Sequence, residues 1–311
     1  MRTARLFLAA VVIALLAVPP LLQLLGAGYY ISTAGRIVVF AIAATSLNLV
    51  LGYGGMVSFG HAAFVGLGAY ATGVMIDSGV LNGGAHLAVT VVVSAGAALL
   101  IGAISLRTRG VYFIMITLAF GQMLYFLANS IKGYGGDEGL NVRERSLLGF
   151  GLDLKDAPTF YYVALAVLAL ALWGLHRFVA SDAGRALVAI RDDDQRAEAL
   201  GFPTYARRLA VFVVAGAVAG IAGALSVNQQ GYVSPSVMHW TQSGTLMVMV
   251  ILGGVASLWG GVLGALVLLV LRETLSTYTE HWEFWTGWVL LAVVLFARKG
   301  LAGLLERPWR R

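Results

Sequence analysis

Cysteine is missing from the whole 311-residue sequence, which removes disulfides, thiolate nucleophiles and Cys-ligated metal sites together. Charge is scarce: Asp, Glu, Lys and Arg make up 12% of the chain, against about 25% in an ordinary soluble domain. A water-facing shell cannot be built from so few charges. There is also no glycine run ending in Lys and then Ser or Thr, so the chain has no phosphate cradle for a nucleotide. The histidines at 61, 86, 176, 239 and 281 fall at no metalloprotease spacing. No paired nucleophile and base suggests a hydrolase, and no Asp or Glu lies at the middle of an apolar run, where an ion-coupled carrier needs one.

Hydrophobic residues are abundant, at 59% of the chain with a mean hydropathy of +0.84. Long apolar runs bounded by charge lie near residues 6–25, 36–54, 58–77, 86–106, 110–130, 159–177, 208–229, 243–256, 259–278 and 283–297. They predict an all-α polytopic membrane protein of about ten transmembrane helices, forming one domain over 1–311. Arg2 and Arg5 before the first run also fit a cleaved signal peptide, but Leu6 to Leu25 is long enough to span and no small-x-small site follows it. A pI near 9.7 and a net charge of +6 are topological in such a chain and do not indicate a nucleic-acid partner.

With both termini inside, Arg107, Arg109, Arg177, Arg185, Arg191, Arg196, Arg207, Arg208 and the basic residues at each end of the chain all face the cytoplasm. The 131–158 segment mixes basic and acidic side chains without a positive excess, and is expected outside. Residues 179–207 form the longest inside loop. There Asp192 and Gln195 suit a capping box, Gly201 suits the position past a helix end, and Pro203 blocks continuation. A helix of about two turns from Asp193 to Leu200 is predicted, with Asp192, Asp193 and Asp194 at its positive end. Such a helix suits docking to a soluble partner; a solvated loop of mixed charge is the plainer alternative.

Two apolar regions are interrupted by glycine. Gly54, Gly55 and Ser58 in the first correspond to Gly253, Gly254 and Ser257 in the second, as two related halves with broken helices at mid-membrane would require. Polar residues near these breaks are the candidate pathway: Thr45 with Asn48, Ser58 with His61, and Thr117 with Gln122 on the fifth run. A packing role competes for His61, and interhelical hydrogen bonding competes for Gln122. Asn228, Gln229 and Gln230 are expected at the watery outer interface. Arg272 and Glu273 are expected to snorkel to the interface rather than pair deep inside, and Tyr278, Trp282, Trp285 and Trp288 to form an aromatic belt.

The blocks SLNLVLGYGGMVSFGHAAFVGLGAYATG, GVYFIMITLAFGQM, GRALVAIRDDDQRAEALG and GGVASLWGGVLGAL occur in this order and resemble LivM-type permeases of branched-chain amino acid ABC importers. The resemblance implies a multi-pass subunit of a bacterial inner membrane, surrounded by lipid and carrying an amino-acid substrate. It implies as partners a LivH-like permease, two ATP-binding subunits and an extracytoplasmic solute-binding protein. ATP and Mg would be used by the partner subunits, with no cofactor on this chain. ABC importers commonly carry an E-A-A pattern, three residues and then Gly in the coupling loop. With that Gly at Gly201, Gln195, Arg196 and Ala197 take the E-A-A positions, so the first two depart from the pattern. The resemblance gives Asp192, Asp193, Asp194, Gln195, Arg196, Glu198 and Gly201 to ATPase coupling. Urea or short amides remain alternative cargo.

Overall fold

The computed structural model describes residues 14–147, 153–297 and 300–306. The start of the first apolar run, the tip of the 131–158 segment and the basic residues at 2, 5, 298, 299, 307, 310 and 311 lie outside the described residues. Each predicted run is a helix: α1 (Ala14–Leu24), α2 (Tyr29–Asn48), α3 (His61–Asp77), α4 (Gly83–Ser105), α5 (Val111–Ser130), α6 (Ala157–Ala180), α9 (Thr204–Gln230), α10 (Trp240–Gly253), α11 (Gly260–Tyr278) and α12 (Trp282–Phe296). A short α13 (Gly300–Glu306) follows. Among the described residues, six helices are long and apolar enough to cross a membrane. The 14-residue α10 rises only about 21 Å, less than the roughly 30 Å of hydrocarbon, so α10 by itself is too short to span it.

The caps are written in the sequence. Asn82 accepts from the Gly84 and Ala85 amides to start α4, and Asp156 accepts from the Thr159 amide to start α6, with a proline in the first turn. Gly231, in the left-handed region, closes α9.

Small residues set the packing. α3, α4 and α9 pack on one another, and a Cβ on Gly68 or Gly223 would collide with the backbone of the facing helix across the α3–α9 seam. Interhelical polar contacts supplement this: the Thr72 and Thr90 hydroxyls meet at 3.0 Å. Phe64, Phe113 and Phe212 join edge to face with ring centroids 5.5 and 6.1 Å apart. α2 runs through the bundle's centre against α6, α9 and α11. Many large apolar side chains of α4, α5, α6 and α12, such as Leu100, Met123, Trp173 and Trp288, are exposed, as a lipid-facing surface requires.

One end of the bundle carries a two-stranded antiparallel ribbon, β1 (Leu140–Asn141) with β2 (Tyr232–Val233). Here Asn228 is buried, correcting its expected exposure: its Oδ1 accepts from the Ser146 amide at 2.8 Å and its Nδ2 donates to the Ala224 carbonyl. It pins the 131–158 segment to α9, while His86, whose ring bonds Ser146 Oγ and the Val80 carbonyl, ties the same segment to α4.

The opposite end carries two helices where one was predicted. α7 (Asp182–Asp192) is capped by Ser181 and buries Ala186, Leu187 and Ile190 on one face. That apolar stripe was hidden in a segment read as loop. The second helix, α8 (Asp194–Ala199), matches the expected one, but its cap is Asp193, whose Oδ1 accepts from the Arg196 amide at 3.0 Å. Asp192 instead ends α7 and pairs with Arg191, so the predicted capping box with Gln195 does not form. Gly201, at φ +84°, takes the left-handed position after α8 as expected.

Candidate functional site

The final turns of α2 pass into a π-helical segment, Leu49–Tyr53, and the chain then runs without helix until His61. A second non-helical stretch, 254–259, separates α10 from α11. The two interruptions face each other. Asn48, fully buried, accepts from the Ala256 amide at 3.0 Å and donates to the Ser257 carbonyl at 2.7 Å. Gly52 must be glycine here, because a Cβ would run into both the Asn48 carboxamide and the Ala256 backbone. Ala256 itself sits at φ +60°, a left-handed conformation costly for a residue with a Cβ. Sequence patterning could not reveal that strain. The contact lies at the α8 end of the bundle rather than halfway along it, since 25 residues of continuous helix precede the first break.

α7 reaches this contact. Arg191 Nη1 donates at 2.9 Å to the Gly52 carbonyl, which lies in the last turn of a helix where carbonyls have no intrahelical donor. α8 is held separately. Asp194, the acid nearest the bundle, accepts from Arg109 at 3.0 Å and from Arg208 at 3.2 Å, tying α8 to the start of α5 and to α9. Asp194 thus faces inward and is a clamp. Gln195, Arg196, Glu198 and Leu200 face outward, with Leu200 71% exposed, a large apolar side chain offered to whatever binds.

His61 opens α3, buried and with its Nε2 2.8 Å from Ser46 Oγ. Ser46 donates its single proton to the Ala43 carbonyl, so Nε2 is the donor and, in the neutral ring, Nδ1 carries no proton. Thr45 Oγ1, Ser58 Oγ and His61 Nδ1 are buried without a hydrogen-bond partner among the described residues. Thr117 is buried too; its hydroxyl bonds the Ile114 carbonyl, and its backbone presses on Gly60. Gln122 Nε2 is buried with no acceptor among the described residues.

A cavity of about 490 Å³ opens at the ribbon end. Its mouth includes Ser32, Arg36, Gln229 and Arg272, and its inner end reaches Ala43 and Ala62, next to the Ser46 and His61 pair. Near the outer end of α11, Glu273 Oε2 accepts from Arg36 Nη2 at 2.7 Å in a partly exposed pair, while the Arg272 guanidinium sits 4.7 Å from the centre of the Trp282 ring. An unbroken column along α2 therefore runs from a polar mouth, past a closed layer of small and polar residues, to the facing breaks and Arg191.

Residues 29–298 match the profile of a family described as the branched-chain amino acid transport system permease component. The chain belongs to that family. It is 29% identical over 286 residues to the high-affinity branched-chain amino acid permease LivM of Escherichia coli, covering 85% of this chain and 67% of that one. It is 25% identical over 286 residues to LivH of the same organism, covering 86% and 92%. A further relative, matched over a shorter stretch, is the autoinducer 2 import permease LsrC of Photorhabdus laumondii, 26% identical over 201 residues, covering 62% of this chain and 55% of that one. No solved structure matches the chain. The column is thus carried by a permease subunit of a multi-pass membrane transporter, and the apolar surface of the bundle is its lipid face.

Proposed function

We infer that this subunit lies in a bacterial inner membrane with α7 and α8 in the cytoplasm. Paired with a paralogous permease, it forms the path by which branched-chain amino acids enter the cell. Likeness to both LivM and LivH supports pairing with a second member of the same family. ATP and Mg are used on two separate ATP-binding subunits, and a solute-binding protein delivers cargo at the ribbon end. The two open positions of the E-A-A pattern, Gln195 and Arg196, lie on the outward side of α8, where side-chain identity can vary without disturbing the clamp at Asp194.

One observation carries this reading: the α7 and α8 unit presents an exposed apolar docking residue, Leu200, while Arg191 is bonded directly to the end of the pathway helix. A push on α8 is passed inward through Asp194 and Arg191 rather than absorbed by a slack loop. Reconstitution of the assembled importer in proteoliposomes tests it. ATP-driven leucine uptake that collapses in Leu200→Asp is expected. Uptake driven by an ion gradient without ATP, or a Leu200→Asp complex that transports like the parent, overturns it.

A further inference from the structure

A second cavity, of about 460 Å³, lies between α6 and α9 toward the α8 end of the bundle. These two helices both pack on α2 but scarcely on each other, and α2 forms the floor of the groove between them. The groove opens on the lipid face: Leu170 on one wall and Val214 on the other are 66% and 54% exposed. A Cβ on Gly174, also in the lining, would meet nothing within 4 Å. Along α9 the lining runs from Arg207 to Val218, about 16 Å of helix, close to half of the roughly 30 Å hydrocarbon thickness. The groove thus has the depth of one leaflet. Its deep end reaches Thr45 and Ser46 on α2, and its shallow end reaches Ala183 and Leu187 on α7.

Arg207 is the one charged residue of that lining. Its guanidinium lies 5.8 Å from the centre of the Phe202 ring and pairs with no carboxylate among the described residues. Its neighbour Arg208, by contrast, is answered by Asp194. Arg177, in the last turn of α6, is exposed at the same end and likewise lacks an acidic partner among the described residues. An apolar slot one leaflet deep, with unanswered cations at its mouth, has the chemistry of an anionic phospholipid site. Acidic side chains are rare in spanning helices, so a helix of a second subunit laid across the groove is the poorer match to Arg207.

We propose that the groove holds one acyl chain of an anionic phospholipid from the leaflet at the α8 end. The phosphate sits on Arg207, and the chain lies between Leu170, Gly174, Val214 and Val218. Its tail then rests against Thr45 and Ser46, just before the π-helical turns of α2, while its upper carbons touch α7. One bound chain therefore bridges the coupling helix and the pathway helix on their lipid side. The assignment rests on the proposed orientation only for calling that leaflet the cytoplasmic one, and it does not depend on the cargo.

The test places the assembled importer in phosphatidylcholine nanodiscs with a trace of phosphatidylglycerol that carries a photoreactive diazirine at mid-chain. Labelled peptides are mapped by mass spectrometry. Labelling should concentrate on residues 170–178 and 206–218. Unlabelled phosphatidylglycerol should suppress it about fivefold better than phosphatidylethanolamine, the advantage that one cation gives an anionic headgroup. Arg207→Gln should remove that preference while labelling persists. Gly174→Trp fills open space rather than packed core, so the subunit should still assemble, and labelling of 206–218 should fall several-fold without change on α4. Groove labelling no denser than that on the exposed faces of α4 and α5, or equal competition by the two lipids in the parent, overturns the proposal. So does efficient short-range cross-linking of Ala210→Cys, the sole thiol of such a chain, to the paired permease, which would give the groove to a subunit interface. The readout is bound lipid, so these failures leave the importer reading standing, and uptake driven by an ion gradient would overturn that reading without touching the groove.

Discussion

The carboxamide of Asn48 grips the second helix break from both sides, taking the Ala256 N–H at 3.0 Å and giving its own N–H to the Ser257 carbonyl at 2.7 Å. A side chain on the central helix thus satisfies two backbone groups that lie more than two hundred residues away in sequence.

Replacing Asn48 with Leu leaves both of those backbone groups unpaired in a buried place, at about 1–3 kcal/mol each. The thermal midpoint of the detergent-solubilised complex should fall by several degrees. Asn48→Asp keeps the acceptor but not the donor, and should fall between Leu and the parent.

Ala256→Gly acts in the opposite direction. Its left-handed backbone costs about 1–2 kcal/mol for a residue with a Cβ, and glycine removes that cost. The thermal midpoint should rise. If the strain is what keeps the break poised, ATP-driven uptake should drop even as stability increases, which parallel melting and transport assays will reveal.

The clamp on α8 predicts an order of effects. Arg208 and Asp194 are largely buried, with side chains 18% and 13% exposed, while Arg109 is 59% exposed. Arg208→Ala and Asp194→Ala should each destabilise by about 1.5–3 kcal/mol. Arg109→Ala should cost less than about 1 kcal/mol, because its charge is already in water. Denaturation of the three variants side by side checks that ranking.

Leu200→Ala should change the stability of this subunit by less than about 0.5 kcal/mol, because the side chain already faces solvent. Its effect should appear instead in how much ATPase subunit co-purifies, with recovery reduced by severalfold.

Much of this was legible before any coordinates. Apolar runs located every long helix, Gly201 and Pro203 marked the end of α8, and the glycine pairs marked both breaks. What sequence could not supply was partnership across distance. Asp192 and Asp193 are equally good caps in isolation, and only the end of α7 decides between them. α7 was missed because its apolar stripe is short and lies among charges, so it reads as a mixed loop. Asn228 looked exposed because it ends a helix, but the 131–158 segment folds back over it. Arg36 and Glu273 sit on separate apolar runs near their outer ends, and opposite charges on two such runs were the one available clue to their pairing. The facing of the breaks through Asn48 had no local signal at all.

The cavity beside α2 ends at Ala43, and the Gly52 carbonyl touched by Arg191 lies nine residues further along the same helix, about 14 Å away. With the ribbon end facing outward, as proposed, water filling the cavity would carry the outside potential inward to Ala43, and much of the membrane voltage would drop across the septum beyond it. A solute with one net charge would gain or lose up to about 2.3 kcal/mol per 100 mV over that distance. A zwitterion has no net charge, so its passage is largely insensitive to voltage, and the same subunit can serve an energised or a depolarised cell.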